Sequence, residues 1–276
     1  MTKLKQSLNL FKKKFYYFIL IDGLFFILLF IFLNYSRNKI QGYIQLIQQY
    51  IPQLNQIQGL LQESTAVGNL EQTSLLLGNI NSVIREALIF GYFVIPLIVF
   101  ILWVLLQGLN YKLIFENKLN KILDYKFFLK FIIISLPFFV ILTLIVFQFL
   151  AIFGDIIPYY GGTFSGNFRA YTLVIVPILL FYFLFVFYSI LNECSLWRTL
   201  KKGVSIAMKK IHYLFPLYIG YLVIIILFFV AFLNNFVFYI GNFNAFSAVN
   251  LLITIILLII LSYYRILFTL FSNRFS

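Results

Sequence analysis

Apolar residues in this chain fall into six long, continuous runs separated by shorter polar stretches. Each run is roughly 20 residues long, which is the length a helix needs to cross a hydrocarbon layer of about 30 Å. The runs are continuous and do not alternate with period two, so the pattern predicts helices and not the strands of a barrel. The predicted spans are residues 15–33, 87–109, 131–153, 171–191, 214–233 and 249–270.

The segment between the first two runs, residues 38–86, is rich in glutamine and carries apolar residues in steps of three and four, which describe one face of a helix. The apolar stripe consists of Ile40, Ile44, Ile47, Ile51, Leu54, Ile57 and Leu61. STAVGN at 64–69 breaks the pattern, so we expect an outer helical hairpin, with Pro52 kinking or interrupting its first arm. This hairpin either contacts a second copy or another protein, or it packs on itself or on the outer leaflet.

One phrase occurs twice, as GNFRAYT at 166–172 and GNFNAFS at 241–247, and each copy stands at the start of a span. Glycine tolerates a turn, asparagine caps exposed N–H groups, and an aromatic ring suits the headgroup region. The phrase therefore predicts a helix entry, and a fainter copy, GNINS at 78–82, precedes the second span. Duplication and chance similarity both fit the pattern. The predicted helix-entry residues are Gly166, Asn167, Phe168, Gly241, Asn242 and Phe243.

Taken as duplication, the phrase divides the chain into three hairpins. The predicted fold is an all-α, six-span transmembrane helix bundle with an outer helical hairpin and cytoplasmic amphipathic helices. Residues 1–37 hold a basic helix and the first span, 38–86 the outer hairpin and 87–111 the second span. Residues 112–197 form the second hairpin unit and 198–276 the third.

Two segments that precede outward spans have amphipathic patterns, with lysines beside an apolar stripe. The stripes are Leu4, Leu8, Phe11 and Phe15 in the first segment, and Trp197, Leu200, Val204, Ala207 and Ile211 in the other. The segment 112–130 has a weaker pattern of the same kind. We expect these segments to lie in the membrane interface and to touch anionic lipid headgroups. The alternative is that they only enforce topology.

The composition supports a membrane protein, because 63% of the residues are hydrophobic and only 11% are charged. The net charge of +13 is concentrated in alternate connecting segments, and the other side holds only Arg37, Lys39, Arg85 and Arg169. By the positive-inside rule, we expect both termini to be cytoplasmic. We expect the membrane to be the cell membrane. The charge thus reports topology, and no nucleic-acid partner is predicted. The basic leader before residue 15 predicts an uncleaved signal anchor.

One acidic residue, Asp22, lies well inside a predicted span, and Arg265 lies a similar distance inside the last span. Ionised groups at this depth are costly, so they normally pair with one another or serve a function. We expect Asp22 and Arg265 to form an intramembrane ion pair that links the first helix to the last. A proton or cation site at Asp22 is the alternative.

Enzyme signatures are scarce. Cys194 is the single cysteine, and His212 is the single histidine, placed at the predicted start of the fifth span. Glu193 and Cys194 are adjacent to one another, but no histidine follows nearby in the sequence. No catalytic residue, cofactor or metal site is therefore predicted.

The plan of a basic amphipathic helix followed by a membrane hairpin, over residues 112–276, resembles uncharacterised polytopic membrane proteins of archaea and bacteria. These include proteins similar to the membrane domain attached to some glycerophosphodiester phosphodiesterases. The resemblance implies a helical membrane domain and transfers no catalytic residue. We expect a non-enzymatic scaffold or interaction protein. A small-solute or ion permease using Asp22 is the alternative, and a membrane lipid enzyme using Glu193 or His212 is a distant third.

Overall fold

A computed structural model describes residues 2–62, 66–116, 124–156, 164–192, 195–237 and 245–273. Side chains are described for 5–53, 55, 73–116, 124–146, 175–192, 195–231 and 251–273. Helix accounts for nearly all of these residues, and none of them lies in a strand, so the predicted all-α class is confirmed.

Nine α-helices occur in the described residues, two of them followed directly by a π-helical turn. The α-helices are α1 (Thr2–Gln62), α2 (Ala66–Ile89), α3 (Ile95–Leu102), α4 (Gly108–Phe115), α5 (Tyr125–Ile156), α6 (Phe164–Ile190), α7 (Leu196–Lys209), α8 (Ile211–Val237) and α9 (Ala245–Asn273). The π-helical turns are Phe90–Val94 and Trp103–Gln107.

Five helical stretches within the described residues are long and apolar enough to cross a membrane, as judged by length and composition. They are Lys5–Gln53, Thr73–Phe115, Tyr125–Val146, Ile211–Ala231 and Leu251–Asn273. A shorter apolar helix covers Ile175–Ile190. These stretches indicate a membrane-embedded protein.

The chain divides into two compact units, one of Met1–Phe25 with Trp103–Ser276 and the other of Phe26–Leu102. Aromatic rings fill the core of the first unit. The ring of Phe131 on α5 stacks on Tyr188 of α6, with centroids 4.2 Å apart and 14° between the planes. Tyr111 of α4 lies 4.9 Å from the same Tyr188 ring, so three helices meet at this point.

The second unit contains the predicted outer segment. One of its buried rings is Phe90. The rings of Tyr35 and Tyr43 on α1 approach it with centroids 6.4 Å away, and the Lys39 ammonium lies 4.5 Å from the ring centre. These contacts join α1 to the first π-helical turn. From the predicted apolar stripe of this segment, Ile44 and Ile51 are exposed.

The predicted interruption at Pro52 is wrong. The helix α1 continues through Pro52 to Gln62, and the kink lies at Lys14, whose φ of −121° and ψ of 16° depart from helical values. A proline removes a single N–H donor, and a long helix can accommodate this loss with a bend instead of ending there. The kink at Lys14 separates the basic leader from the apolar part of α1.

The predicted second span contains two π-helical turns, Phe90–Val94 and Trp103–Gln107, which the sequence pattern did not indicate. A π turn inserts one extra residue into a helical turn and so rotates the following residues about the helix axis, by about 100° relative to an uninterrupted α-helix. The turn at Trp103–Gln107 comes directly before α4. It therefore sets the direction in which the side chains of Asn110 and Tyr111 point from α4.

Candidate functional site: a buried ion pair

The Asp22 carboxylate lies inside the first unit with none of its surface exposed. Its Oδ1 accepts hydrogen bonds from Asn110 Nδ2 at 2.7 Å and from Arg265 Nη1 at 2.8 Å. Its Oδ2 accepts a hydrogen bond from Ser262 Oγ at 2.6 Å. Both oxygens of this buried acid are therefore occupied by donors from α4 and α9.

Arg265 supplies the positive charge and is 3% exposed. It follows Ser262 by three positions on α9, a spacing that places both side chains on the same face of the helix, where they reach the same carboxylate. Its Nη2 lies 3.5 Å from the hydroxyl oxygen of Tyr221 on α8. The ion pair thus gathers side chains from α1, α4, α8 and α9.

The energetics of this arrangement favour a closed, fixed pair. Removing an ion from water costs several kcal/mol, and the pair recovers this cost only with good geometry and further hydrogen bonds to the charged groups. Asp22 has such bonds from Asn110 and Ser262 in addition to its salt bridge with Arg265. Loss of either charge would leave the other buried without its counter-charge.

Three polar atoms on the residues of this cluster and its immediate neighbour have no hydrogen-bond partner. They are Asn110 Oδ1, Arg265 Nε and the hydroxyl of Tyr111, and all three are buried. A buried polar group without a partner is costly, and such sites often hold water or a small polar ligand. These atoms offer an acceptor, a donor and a hydroxyl.

A second polar cluster lies where α4 ends. Lys112 is buried, and its Nζ donates to Asp124 Oδ2 at 3.0 Å and to Asn192 Oδ1 at 3.3 Å, and lies 3.3 Å from Glu116 Oε1. The hydrogen bond from Lys112 lowers the pKa of the Asp124 carboxyl below its ordinary value. This cluster ties α4 to the segment before α5 and to the end of α6.

Lys14, at the kink in α1, contacts the same end of α4. Its Nζ donates to the Leu113 carbonyl at 2.5 Å and also to the carbonyl of Glu116. These carbonyls belong to the last turn of α4 and its cap, where carbonyls lack partners within the helix. A lysine ammonium is suited to this position, because it supplies up to three donors and complements the negative helix end.

The site residues predicted from the sequence differ in where the structure places them. Asp22 and Arg265 are brought together. Gly166, Asn167 and Phe168 lie in the first turns of α6, where no side chain is described, and Gly241, Asn242 and Phe243 lie outside the described residues. The fainter copy at Gly78 lies inside α2, well past its first residue, so this copy is not a helix entry.

Sequence reasoning missed the hydrogen-bonding residues Asn110, Ser262 and Tyr221. Ser262 has a signal in the sequence, because it stands three positions before Arg265 on the same apolar helix. Asn110 has none, since its orientation depends on the preceding π-helical turn. Tyr221 is one of 19 tyrosines, and nothing local separates it from the others.

The residues considered for enzymatic chemistry do not converge where they are described. His212 is exposed at the start of α8, with its ring 4.1 Å from the ring of Tyr213. Glu193 and Cys194 lie outside the described residues. Within the described part of the chain, no group of three His, Cys, Asp or Glu side chains is placed to hold a metal ion.

The fold and the cluster define the class as a helical membrane protein with a buried ion pair between its first and last helices. Comparison with protein-family models, with curated proteins and with solved structures finds no match for this chain. The resemblance to archaeal and bacterial polytopic proteins stays a prediction.

Proposed function

We propose that this chain is a non-enzymatic, multi-pass scaffold or interaction protein of the cell membrane. In this proposal six helices cross the bilayer as three hairpins, with both termini in the cytoplasm. Support comes from the five long apolar stretches and from α6, whose 27 residues reach about 40 Å and contain the apolar Ile175–Ile190. The uneven distribution of basic residues supports the orientation.

One observation carries the choice of a scaffold, namely the full occupation of the Asp22 carboxylate. A transport acid has to exchange partners with a passing ion or proton. Asp22 instead has three donors on its two oxygens, from Asn110, Arg265 and Ser262. Its role in the scaffold is to latch α1 to α4 and α9.

The outer segment is the proposed contact surface. Ile44 and Ile51 belong to its apolar stripe and are exposed on α1. A stripe of this kind on a helix with abundant glutamine suits a second copy of the chain or another protein, because little charge opposes association. Crosslinking from Gln45, beside Ile44, would capture such a partner.

The second candidate function is a small-solute or ion permease. The observation that favours it is the trio of buried atoms without partners near Asp22: Asn110 Oδ1, Tyr111 hydroxyl and Arg265 Nε. Polar atoms of this kind inside a membrane protein commonly line the route of a proton or ion. In this function Asp22 would release a donor and take up the transported species.

Proton flux in proteoliposomes separates the two functions. The wild-type chain, Asp22→Asn and Tyr111→Phe would be reconstituted with a pH-sensitive dye inside the vesicles. The scaffold predicts no flux above empty vesicles for any of them. A wild-type flux that Tyr111→Phe abolishes would support the permease, and this variant keeps the ion pair intact because the Tyr111 hydroxyl bonds to nothing.

The proposed topology has its own test. Cys194→Ser removes the single cysteine, and Lys39→Cys or Lys201→Cys then introduces one reporter on either side. An impermeant maleimide applied to intact cells is expected to label position 39 and to spare position 201 until the cells are opened. Labelling of position 201 in intact cells would contradict the orientation.

A further inference from the structure

The helix α7 has three distinct sides. The first side packs on α6 and consists of Thr199, Gly203, Ile206 and Ala207, all buried. The hydroxyl of Tyr182 on α6 donates to the Ala207 carbonyl at 2.9 Å. A Cβ added at Gly203 would lie 2.2 Å from Cδ1 of Phe187, so the two helices are in close contact there. These contacts fix the orientation of α7 about its own axis.

The second side is apolar and faces away from α6. Trp197 is 76% exposed and Met208 is 59% exposed, with Val204 between them. Steps of seven and four residues place the three side chains on one face of the helix. The predicted stripe included Ala207, which the structure instead buries against α6, while Met208 takes its place on the free face.

The third side is basic. Arg198, Lys201 and Lys209 are exposed and lie on the helix surface next to the apolar side. The stretch from 196 to 213 contains no acidic residue. The apolar and basic sides are therefore adjacent, and the net charge of the surface they form is positive.

We propose that α7 lies in the interface of the membrane that holds the protein and binds the phosphates of acidic phospholipids. The helix has 14 residues and is about 21 Å long, which is too short to cross the bilayer. Trp197 and Met208 insert beside the upper acyl chains, and Arg198, Lys201 and Lys209 contact the headgroups. This assignment rests on the proposed membrane protein and names the partner of one of its surfaces.

Acidic phospholipid is the occupant that fits both the apolar and the basic side of α7. A tryptophan with a polar N–H and an apolar ring is suited to the headgroup boundary, and the neighbouring cations complement lipid phosphates. A neutral bilayer would use the apolar side alone. The groove of a partner protein would have to supply both an apolar surface and acidic groups. Binding of such a partner is the opposing outcome of the fluorescence experiment.

Fluorescence of Trp197 tests the proposal, because the chain has two tryptophans and Trp103→Phe leaves Trp197 as the single reporter. The variant would be reconstituted in vesicles of phosphatidylcholine and phosphatidylglycerol in equal parts, with bromine on one lipid at a time. We expect shallow bromines to quench more than deep ones. We also expect brominated phosphatidylglycerol to quench more than brominated phosphatidylcholine, and aqueous iodide to quench little.

Charge removal supplies the matched comparison. The triple variant Arg198→Gln, Lys201→Gln, Lys209→Gln is expected to lose the preference for phosphatidylglycerol. The control Lys12→Gln, Lys13→Gln, Lys126→Gln removes equal charge at exposed positions on other helices and is expected to retain it. Both comparisons are made in the Trp103→Phe background, in samples whose melting temperature matches that of this parent.

Two results would overturn the proposal. Strong quenching by iodide with none by brominated lipid would place α7 in water and leave its apolar side to a protein partner. Equal quenching by the two brominated lipids, unaffected by the triple variant, would show that acidic headgroups are not bound. Neither result depends on proton flux, so failure of the scaffold and failure of this lipid assignment are distinguishable.

Discussion

The guanidinium of Arg265 lies 2.8 Å from the carboxylate of Asp22, although 243 positions separate them in the sequence. This contact joins α1 to α9 and so brings the first and last helices of the chain together. Because the pair is buried and further bonded to Asn110 and Ser262, each charge depends on the other for its solvation.

Removing one charge of this pair should destabilise the protein strongly. We expect Asp22→Asn and Arg265→Gln each to lower the free energy of unfolding by about 3–5 kcal/mol, because each leaves an uncompensated buried charge. Thermal or denaturant unfolding in detergent measures the change. Lys12→Gln, at an exposed position of α1, is the control and should change it little.

The double variant Asp22→Asn, Arg265→Gln should be less destabilised than the two single changes added together, since no lone charge remains. Additive effects in this double-mutant cycle would contradict a coupled pair. The same variants reconstituted in proteoliposomes also test the permease, because a coupled pair without proton flux favours the latch.

A chain of hydrogen bonds between α5, α6 and the second π-helical turn gives the next prediction. Trp103 Nε1 donates to the Tyr188 hydroxyl at 3.1 Å, and the Tyr188 hydroxyl lies 2.6 Å from Ser135 Oγ. Ser135 Oγ also donates to the Phe131 carbonyl at 2.6 Å. Since the Ser135 proton is used there, the Tyr188 hydroxyl donates to Ser135 and accepts from Trp103.

Tyr188→Phe should therefore cost about 1–3 kcal/mol of stability, because it leaves the Trp103 N–H without its acceptor while keeping the ring stack on Phe131. Equilibrium unfolding measures the loss. Tyr125→Phe removes a hydroxyl from an exposed ring at the start of α5 and should have almost no effect. Equal effects of the two changes would argue against the hydrogen-bond chain.

The fold class could be predicted from the sequence because lipid imposes it. An apolar run of sufficient length has few alternatives to a helix, since its backbone groups need internal partners. The charge argument singled out Asp22 and Arg265 for a similar reason, as buried charges need partners. Both inferences use local composition and need no knowledge of packing.

The rest of the site depends on geometry that local composition does not encode. Asn110 reaches Asp22 from a helix whose direction is set by the π-helical turn Trp103–Gln107, and no residue pattern marked that turn. The kink at Lys14 was not predicted, because the sequence offered only Pro52 as a point where α1 could bend or end. The Lys14 ammonium donates to carbonyls at the end of α4, and a contact between segments so far apart in the chain has no local sequence signal.

Acidity should weaken the contact between Lys112 and Asp124. The pKa of Asp124 is lowered from 3.8 by the hydrogen bond from Lys112, so the ionised form is favoured in the folded state. This contribution is present above pH 3.8 and is lost as the pH falls through the lowered pKa. With 42% of the Asp124 side chain exposed, the contribution should stay below about 1 kcal/mol.

Unfolding of the wild type and Asp124→Asn, followed between about pH 6 and about pH 2, isolates this contribution from that of other carboxyl groups. The difference in stability between the two proteins should shrink as the pH falls. Lys112 retains Glu116 and Asn192 in the variant, which keeps the difference small. A difference that grows on acidification would contradict the sign.

The contact between α6 and α7 gives the last prediction, with a matched pair of glycines. At Gly203 a Cβ would meet Cδ1 and Cε1 of Phe187 at 2.2 and 2.5 Å, whereas at Gly42 nothing lies within 4 Å. Phe187 is buried against Phe138, with ring centroids 5.7 Å apart, so its ring has little room to move away.

Gly203→Ala should therefore destabilise the protein by about 1–3 kcal/mol through overpacking. Gly42→Ala should stabilise by about 0.5–1 kcal/mol, as alanine is the better helix former. Unfolding measures both, and Trp197 emission in the Trp103→Phe background reports whether α7 has shifted. Stabilisation by Gly203→Ala with unchanged emission would mean that α7 does not pack tightly on α6.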